Sequence, residues 1–352
     1  IFRQYSNEGA LYFSDDFEIS DVLKVHAGLR YSSFQHSGYI SFRDYIKNDF
    51  SGSDDNYRHI EPRLSFRYKL STSSSIKGAY TQNYQYIHLA STSSVSLPTD
   101  LWVPSSKAIE PKFADQFALG YFKNLNDNMY ETSIEAYYKE MTNLIEYKEG
   151  VLPEDNTNSN SDDAFTFGDG DSYGLEFLVK KNKGKTTGWI GYTWSKTTRF
   201  FDEVNNGNAF PAKYDRRHDL SITATHKYSK KWTFSGVFVY ATGNSITLPT
   251  ERYVIGENIY TEFTSRNGFR IDPYHRLDIG ATYTPKKKKK YQSSWNFSIY
   301  NLYSRKNPYF IYFALEAPEG VDGSLIEGNL TPKAYQVSIF PILPSVTWNF
   351  NF

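Results

Sequence analysis

The chain has 352 residues and carries 39 Lys and Arg against 39 Asp and Glu, so its formal net charge is zero, which argues against nucleic acid as a partner. It contains no cysteine, which excludes disulfides and thiolate metal sites. It also has no run of roughly 18 apolar residues, which excludes a membrane-spanning helix.

The outlying property is aromatic content, 18% of the chain, beside a mean hydropathy of −0.59. A transmembrane β-barrel reconciles the two, because only alternate residues meet lipid while a polar lumen and polar loops dilute the average. The opening "IFRQYSNEGALYF" shows neither an initiator Met nor a signal-peptide layout. The chain is therefore expected to be the mature or interior part of something longer.

Period-2 alternation predicts thirteen strands, at 3–18, 22–35, 58–70, 74–86, 113–123, 128–146, 172–182, 186–199, 214–228, 231–245, 272–284, 291–303 and 334–352. "PRLSFRYKL" aligns Leu64, Phe66, Tyr68 and Leu70 opposite Arg63, Ser65, Arg67 and Lys69. "GWIGYTW" aligns Ile190, Tyr192 and Trp194; "SITATHKY", with the Leu220 before it, aligns Leu220, Ile222 and Ala224. "HRLDIGATY" aligns Leu277, Ile279, Ala281 and Tyr283, and the closing "SVTWNFNF" aligns Val346, Trp348, Phe350 and Phe352. No stretch of a dozen residues keeps a period of 3.6.

Short connections ("NLND", "NKGK", "SK" among them) alternate strictly with long ones near 36–57, 87–112, 147–171, 200–213, 246–271 and 304–333. That is an up-and-down meander with one tight rim and one elaborated rim, as in outer-membrane barrels. Thirteen is odd, and an odd antiparallel sheet cannot close without a parallel seam. The reading is therefore an all-β transmembrane antiparallel barrel of which this chain is the C-terminal part.

Several stretches carry a family resemblance. "YDRRHDLSITATHKYSKKWTFSGVFVYATGNSITLP" (214–249), "NGFRIDPYHRLDIGATY" (267–283), "SSWNFSIYNLYSRKNPYFIYF" (293–313), "SIFPILPSVTWNFNF" (338–352) and "DSYGLEFLVKK" (171–181) resemble the late barrel strands of TonB-dependent outer-membrane receptors, Bacteroidetes type. The resemblance implies a bacterial outer-membrane transporter whose whole barrel has about 22 strands and a plugged lumen. Residues 1–352 are then the C-terminal portion of that barrel, with the plug domain and roughly nine N-terminal strands absent. The implied partners are outer-membrane lipid, the plug, a TonB-type energy-coupling protein reached through the plug, and the outer-membrane assembly machinery. A surface lipoprotein or larger complex is a further one. Val346, Trp348, Phe350 and Phe352 become the terminal signal that the assembly machinery reads.

For chemistry the sequence offers little. Its seven His form no H-E-x-x-H and no ligand pair, and no G-x-S-x-G, Walker loop or G-x-G-x-x-G occurs. No catalytic residue, metal site or cofactor is expected. If Leu64, Leu220 and Leu277 face lipid, then Arg63, Arg67, Arg217, Asp219, Arg276 and Asp278 face the lumen, and by the same parity so do Arg30, Glu135, Glu176 and Lys180. "YDRRHD" (214–219) reads as a loop base, "SDDAFTFGDGDS" (161–172) as a solvated acidic loop, and Lys286–Lys290 as a basic turn at the tight rim. Within the outer loops, Trp102 and Tyr260 head the candidates for ligand contact. The function expected is energy-coupled uptake of a scarce nutrient; a barrel subunit of a secretion, motility or nutrient-capture assembly and a passive porin are the alternatives.

Overall fold

The alternating stretches fold into long antiparallel ladders. The computed structural model describes residues 3–40, 55–90, 101–149, 161–255, 258–263, 265–286, 292–316 and 331–351. In chain order the strands are β1 (Arg3–Glu18), β2 (Leu23–Ile40), β3 (Asp55–Ser71), β4 (Ser74–Gln85), β5 (Ile87–Ala90), β6 (Leu101–Pro104), β7 (Lys112–Leu125) and β8 (Tyr130–Tyr147). Then come β9 (Phe165–Lys181), β10 (Thr186–Phe200), β11 (Phe210–Pro211), β12 (His218–Lys227), β13 (Trp232–Ala241), β14 (Ser245–Ile246), β15 (Pro249–Ile255) and β16 (Asn258–Phe263). The last are β17 (Phe269–Arg270), β18 (Tyr274–Tyr283), β19 (Gln292–Tyr300), β20 (Pro308–Glu316), β21 (Thr331–Ser338) and β22 (Leu343–Asn351).

Thirteen of them run in the order β1-β2-β3-β4-β7-β8-β9-β10-β12-β13-β18-β19-β22, the sequential order of a meander, with β11 hung on β10. The remaining strands form two-stranded hairpins within the long connections: β5 with β6, β14 with β17, β15 with β16 and β20 with β21. Tight turns are set by their residues. Asn126, Asp127 and Asn128 take φ of 49°, 52° and 61° between β7 and β8, a left-handed run that Asn and Asp tolerate better than other side chains.

Contacts divide the chain into two units, Ile1–Thr92, Ser96–Phe177 and Ser195–Ala212 in one, and Ser93–Val95, Leu178–Trp194 and Lys213–Phe352 in the other. Directly paired residues of an antiparallel ladder share a face, so the register sorts side chains without further assumption. In the first unit one face carries the rows Leu64-Tyr80-Phe117-Tyr138, Phe66-Gly78-Leu119-Ala136 and Tyr68-Ile76-Tyr121-Ile134 across β3, β4, β7 and β8. These side chains are solvent-accessible, Phe117 at 53% and Leu119 at 58%. The opposite face carries Arg63-Thr81-Gln116-Lys139 and Arg67-Lys77-Gly120-Glu135.

The second unit repeats the division. Ile190-Ile222-Phe238-Leu277, Phe234-Ala281-Phe297-Val346 and Trp232-Tyr283-Trp295-Trp348 lie on one face. Thr233-Thr282-Asn296-Thr347 and Ser235-Gly280-Ser298-Ser345 lie on the other. An apolar face left uncovered over so many strands is costly in water and requires lipid or protein against it.

The buried clusters lie at the loop bases. Ala90, Val103, Ile109, Ile145, Tyr147, Ala164 and Phe165 form one, and Met141, Leu144, Phe201, Val204 and Phe210 form another. Several boundaries differ from the sequence reading: β2 runs on to Ile40, β12 starts at His218 instead of 214, β13 ends at Ala241 instead of 245, and two further differences are larger. The strand predicted from 172 starts at Phe165, so Asp169 and Asp171 belong to β9 and Asp171 accepts a hydrogen bond from Thr198 at 3.1 Å. The stretch 334–352 is two strands, broken where Phe340 takes φ of 57° before Pro341. There β21 belongs to a hairpin with β20, and only β22 joins the main sheet.

Candidate functional site

Within each unit the predicted charged residues are spread over several strands instead of gathering at a single centre. In the first unit Arg30 stands opposite Glu61 and Tyr12 in register, with Nε 3.6 Å from Glu61 and Nη2 3.8 Å from Glu8. Glu61 is buried and accepts a hydrogen bond from Ser32 at 2.7 Å; Ser32 Oγ also lies 2.6 Å from the Tyr86 hydroxyl, and His59 Nδ1 lies 3.0 Å from that hydroxyl. Phe34 stacks on Tyr86 with centroids 5.0 Å apart. Burying a carboxylate without partners is costly, and here a guanidinium and a hydroxyl supply them.

The hairpin β5–β6 roots beside this network. Ser105 N–H donates to the Tyr86 carbonyl at 2.7 Å, and Tyr57 donates its hydroxyl hydrogen to the Ser106 carbonyl at 2.7 Å. His88, fully buried, places Nε2 2.9 Å from Ser105 Oγ. Burial, with the Lys112 charge adding to it, pushes the His88 imidazole down to about 3. Its folded value lies below the unfolded value of about 6.5, so the unfolded hairpin binds the proton more readily. The stability His88 contributes is then present above pH of about 6.5 and is lost as pH falls toward 3. Hydrogen exchange corrected for its intrinsic pH dependence is expected to show β5 and β6 opening progressively across that window, and His88→Gln is expected to flatten the response.

Farther along the same face Arg63 donates to Asn83 at 3.3 Å. Arg67 has Lys24 and Lys77 as its register partners. Glu135 is paired with Gly120 and accepts from Ser133 at 3.1 Å; Glu176, exposed on β9, lies within electrostatic reach of Glu135. Lys180, exposed near the end of β9, belongs to the second unit.

In that unit Arg276 Nε donates to Asp278 at 2.9 Å, and Nη1 donates to the Tyr300 and Tyr274 hydroxyls at 2.6 and 2.8 Å. Asp278 accepts in turn from the Asn301 N–H at 2.8 Å. Asp219 sits in β12 between Thr193 and Ala241. Arg217 precedes β12, so strand alternation does not set its direction; it lies 3.4 Å from Asp215.

Asp215 lies in the "YDRRHD" stretch read from sequence as a loop base, though not among the residues expected to face the lumen. Its side chain is 1% exposed, and Arg270 Nη2 donates to its carboxylate at 2.5 Å. Arg270 Nη1 donates to the Asp215 and Gly243 carbonyls, the latter at 2.8 Å. Asn301 and Asn307 were missed. Asn301 donates to the Arg305 and Phe340 carbonyls at 2.9 and 3.2 Å, and Asn307 both accepts from and donates to the backbone of His275. The "YDRRHD" and "NLYSRKN" stretches marked the places, but neither showed which distant chain each would grip.

Among the outer-loop candidates, Trp102 on β6 is 61% exposed opposite Leu89. Of Tyr260 only the backbone, in β16 opposite Tyr253, is described. Val346, Trp348 and Phe350 share a face of β22, with Trp348 stacked on Trp295 at 5.8 Å; Phe352 and Lys287 to Lys290 lie outside the described residues. No group of three or more His, Asp or Glu among the described residues is arranged to hold a metal.

The family model described as TonB dependent receptor-like, beta-barrel matches residues 2–302. No curated protein matches the chain. Among solved structures, it is similar to the ferripyoverdine receptor of the Pseudomonas aeruginosa outer membrane, at 16% identity and a TM-score of 0.59, over 87% of this chain and 36% of that one. It is also similar to the ferric preacinetobactin receptor from Acinetobacter baumannii, at 15% and 0.60, over 100% and 44%. A third is the FrpB iron transporter from Neisseria meningitidis, at 13% and 0.59, over 99% and 46%. The chain thus spans less than half the length of each.

Proposed function

Because the chain belongs to the TonB-dependent receptor-like β-barrel family, we propose that it forms the later wall and outer loops of a receptor that takes up a scarce nutrient by energy-coupled transport. Its location is the bacterial outer membrane. The observation that carries the proposal is the division of each unit into an accessible apolar face and an opposite polar face. In this reading the first is the lipid-facing skin and the second lines the bore, with Arg30, Arg63, Arg67, Glu135, Asp219, Arg276 and Asp278, and by alternation along β9 Glu176 and Lys180, proposed to meet a cargo or the domain that blocks it. In this reading the long connections with their rooted hairpins face outward, where Trp102 and Tyr260 meet cargo.

The edge of β1 supports a larger sheet. Leu11 and Phe13 are 76% and 74% exposed on one face, and Tyr12 is exposed on the other. A long bare edge rich in apolar residues is a site of uncontrolled pairing unless another strand covers it, which supports further strands beside β1; a plug domain inside the bore is the part that the family reading adds. A TonB-type protein acting through that plug would then open the bore.

Ferric chelates are the first cargo to test, since the structural neighbours bear the names of iron receptors and transporters. Uptake of radiolabelled ferric chelates is expected to require both the gene encoding this chain and an energised inner membrane. Uptake that persists after the energy-coupling protein is deleted, or a purified receptor that conducts ions freely, would establish a passive porin instead.

A further inference from the structure

We infer that the tight rim of the second unit is a docking surface for anionic phospholipid. Three tight turns stand side by side there, joining β9 to β10, β12 to β13 and β18 to β19, strands that follow one another in the main sheet. Each is basic. Lys183 and Lys185 lie in the first, Lys230 and Lys231 in the second with Lys227 just before it, and the run Lys286–Lys290 falls between the strands of the third. No carboxylate offsets them, since no Asp or Glu occurs between Glu176 and Asp202, between Asp219 and Glu251, or between Asp278 and Glu316. Lys185, Lys227, Lys230, Lys231 and Lys286 are exposed, and none has an ion pair among the described residues. The whole chain carries no net charge, so these cations are segregated and not part of a general surplus. Successive turns are two strand spacings apart, about 10 Å, close to the screening length at physiological salt, so their fields add.

The residues bordering the lysines identify the partner. Trp232-Tyr283-Trp295-Trp348 closes the apolar face at the turn ends of β13 and β18, with the Trp232 and Tyr283 rings 4.9 Å apart and Trp295 stacked on Trp348. Trp and Tyr settle where lipid tails give way to headgroups. A lysine one step beyond such a row lays its methylene stem on apolar surface and holds its ammonium among the phosphates. Clustered cations at that depth attract anionic lipid, and the tight turns of outer-membrane barrels face the periplasm, so the lipid is that of the periplasmic leaflet. The aromatic row favours a lipid over an acidic protein, which would need the charges alone. The tight turns of the first unit lack the feature: Asp21 lies between β1 and β2, Thr72 and Ser73 between β3 and β4, and Asp127 between β7 and β8.

This inference rests on the membrane reading and not on the cargo, so a failure of chelate uptake leaves it standing. The whole receptor, purified in detergent, is offered equal amounts of phosphatidylglycerol, which is anionic, and phosphatidylethanolamine, which is net neutral. Native mass spectrometry then counts the lipids retained. The expected result is a several-fold preference for phosphatidylglycerol that falls as salt rises. It is expected to be reduced by Lys230→Gln with Lys231→Gln, and lost when Lys183→Gln and Lys185→Gln are added. Lys69→Gln with Lys123→Gln, at the tight rim of the first unit, is expected to leave it unchanged. Equal retention of the two lipids overturns the inference, as does an equal loss of preference in the first-unit variant. Displacement of phosphatidylglycerol by inorganic phosphate at matched concentration also overturns it, because the turns would then be a site for free anions. So does an amine cross-link from Lys230 or Lys231 to an acidic periplasmic protein without any lipid preference. A receptor that leaves the cell envelope without detergent overturns the membrane reading itself.

Discussion

Replacing Arg270 by alanine is expected to unlatch the base of two outer loops. Arg270 donates to the carboxylate and the carbonyl of Asp215 and to the carbonyl of Gly243, so one side chain ties the segment leading into β12 to the segment leaving β13. Removing one partner of a buried pair costs roughly 3–5 kcal/mol. Because Arg270 keeps some solvent contact and Arg217 remains 3.4 Å from Asp215, about 2–3 kcal/mol is expected here. Arg270→Lys keeps the charge but loses the fork that grips two carbonyls and a carboxylate together, and is expected to fall between. Hydrogen exchange of the whole receptor reads the effect: protection is expected to drop at residues 213–218, 242–246 and 268–272 while β18 and β19 stay protected. Unchanged exchange at 213–218 would mean that the backbone contact from Ser245 N–H to the Lys213 carbonyl, at 3.0 Å, suffices to hold the base.

The latch also shows where a sequence stops being informative. Leu64, Leu220 and Leu277 alternate with polar residues, and that local pattern placed thirteen strands and divided their side chains between two faces, because strand geometry turns period 2 directly into sidedness. Asp215 and Arg270 are 55 positions apart and lie outside the thirteen strands of the main sheet, so only the path of the chain between them, through β12, β13 and the long connection beyond, brings them together. Glu61 had the right parity for the polar face, yet nothing in "YRHIEPRL" foretold that it is buried beside Tyr86. Its burial comes with a hairpin from another loop, rooted through Ser105 and Tyr57. The break at Phe340 is of a different kind, because the sequence does carry it: alternation lapses in "IFPILP" (339–344), and two prolines there argue against one unbroken strand.

The sidedness itself yields the prediction with the widest reach. Ile222 lies at the middle of β12, between Ile190 and Phe238 in register, on the face that also carries Leu277 and Ile279. Val237 lies on the other face of the neighbouring strand, between Thr223 and Asp278. An arginine facing lipid near the bilayer midplane costs roughly 2–4 kcal/mol, while lumen positions tolerate it. Ile222→Arg is therefore expected to lower the unfolding free energy in lipid vesicles by about 2–4 kcal/mol and to reduce the amount of assembled receptor. Val237→Arg gains Asp278 as a neighbour of opposite charge and is expected to change stability by less than about 1 kcal/mol. The two substitutions introduce the same side chain on adjacent strands, so loss of intrinsic strand propensity cancels between them and the difference reports the face alone. Equal losses would show that both faces meet the same medium. A larger loss at Val237 would reverse the wall of the second unit, placing Trp348 and Val346 toward the bore and Asp278 toward lipid, where a carboxylate costs more than in a wet lumen.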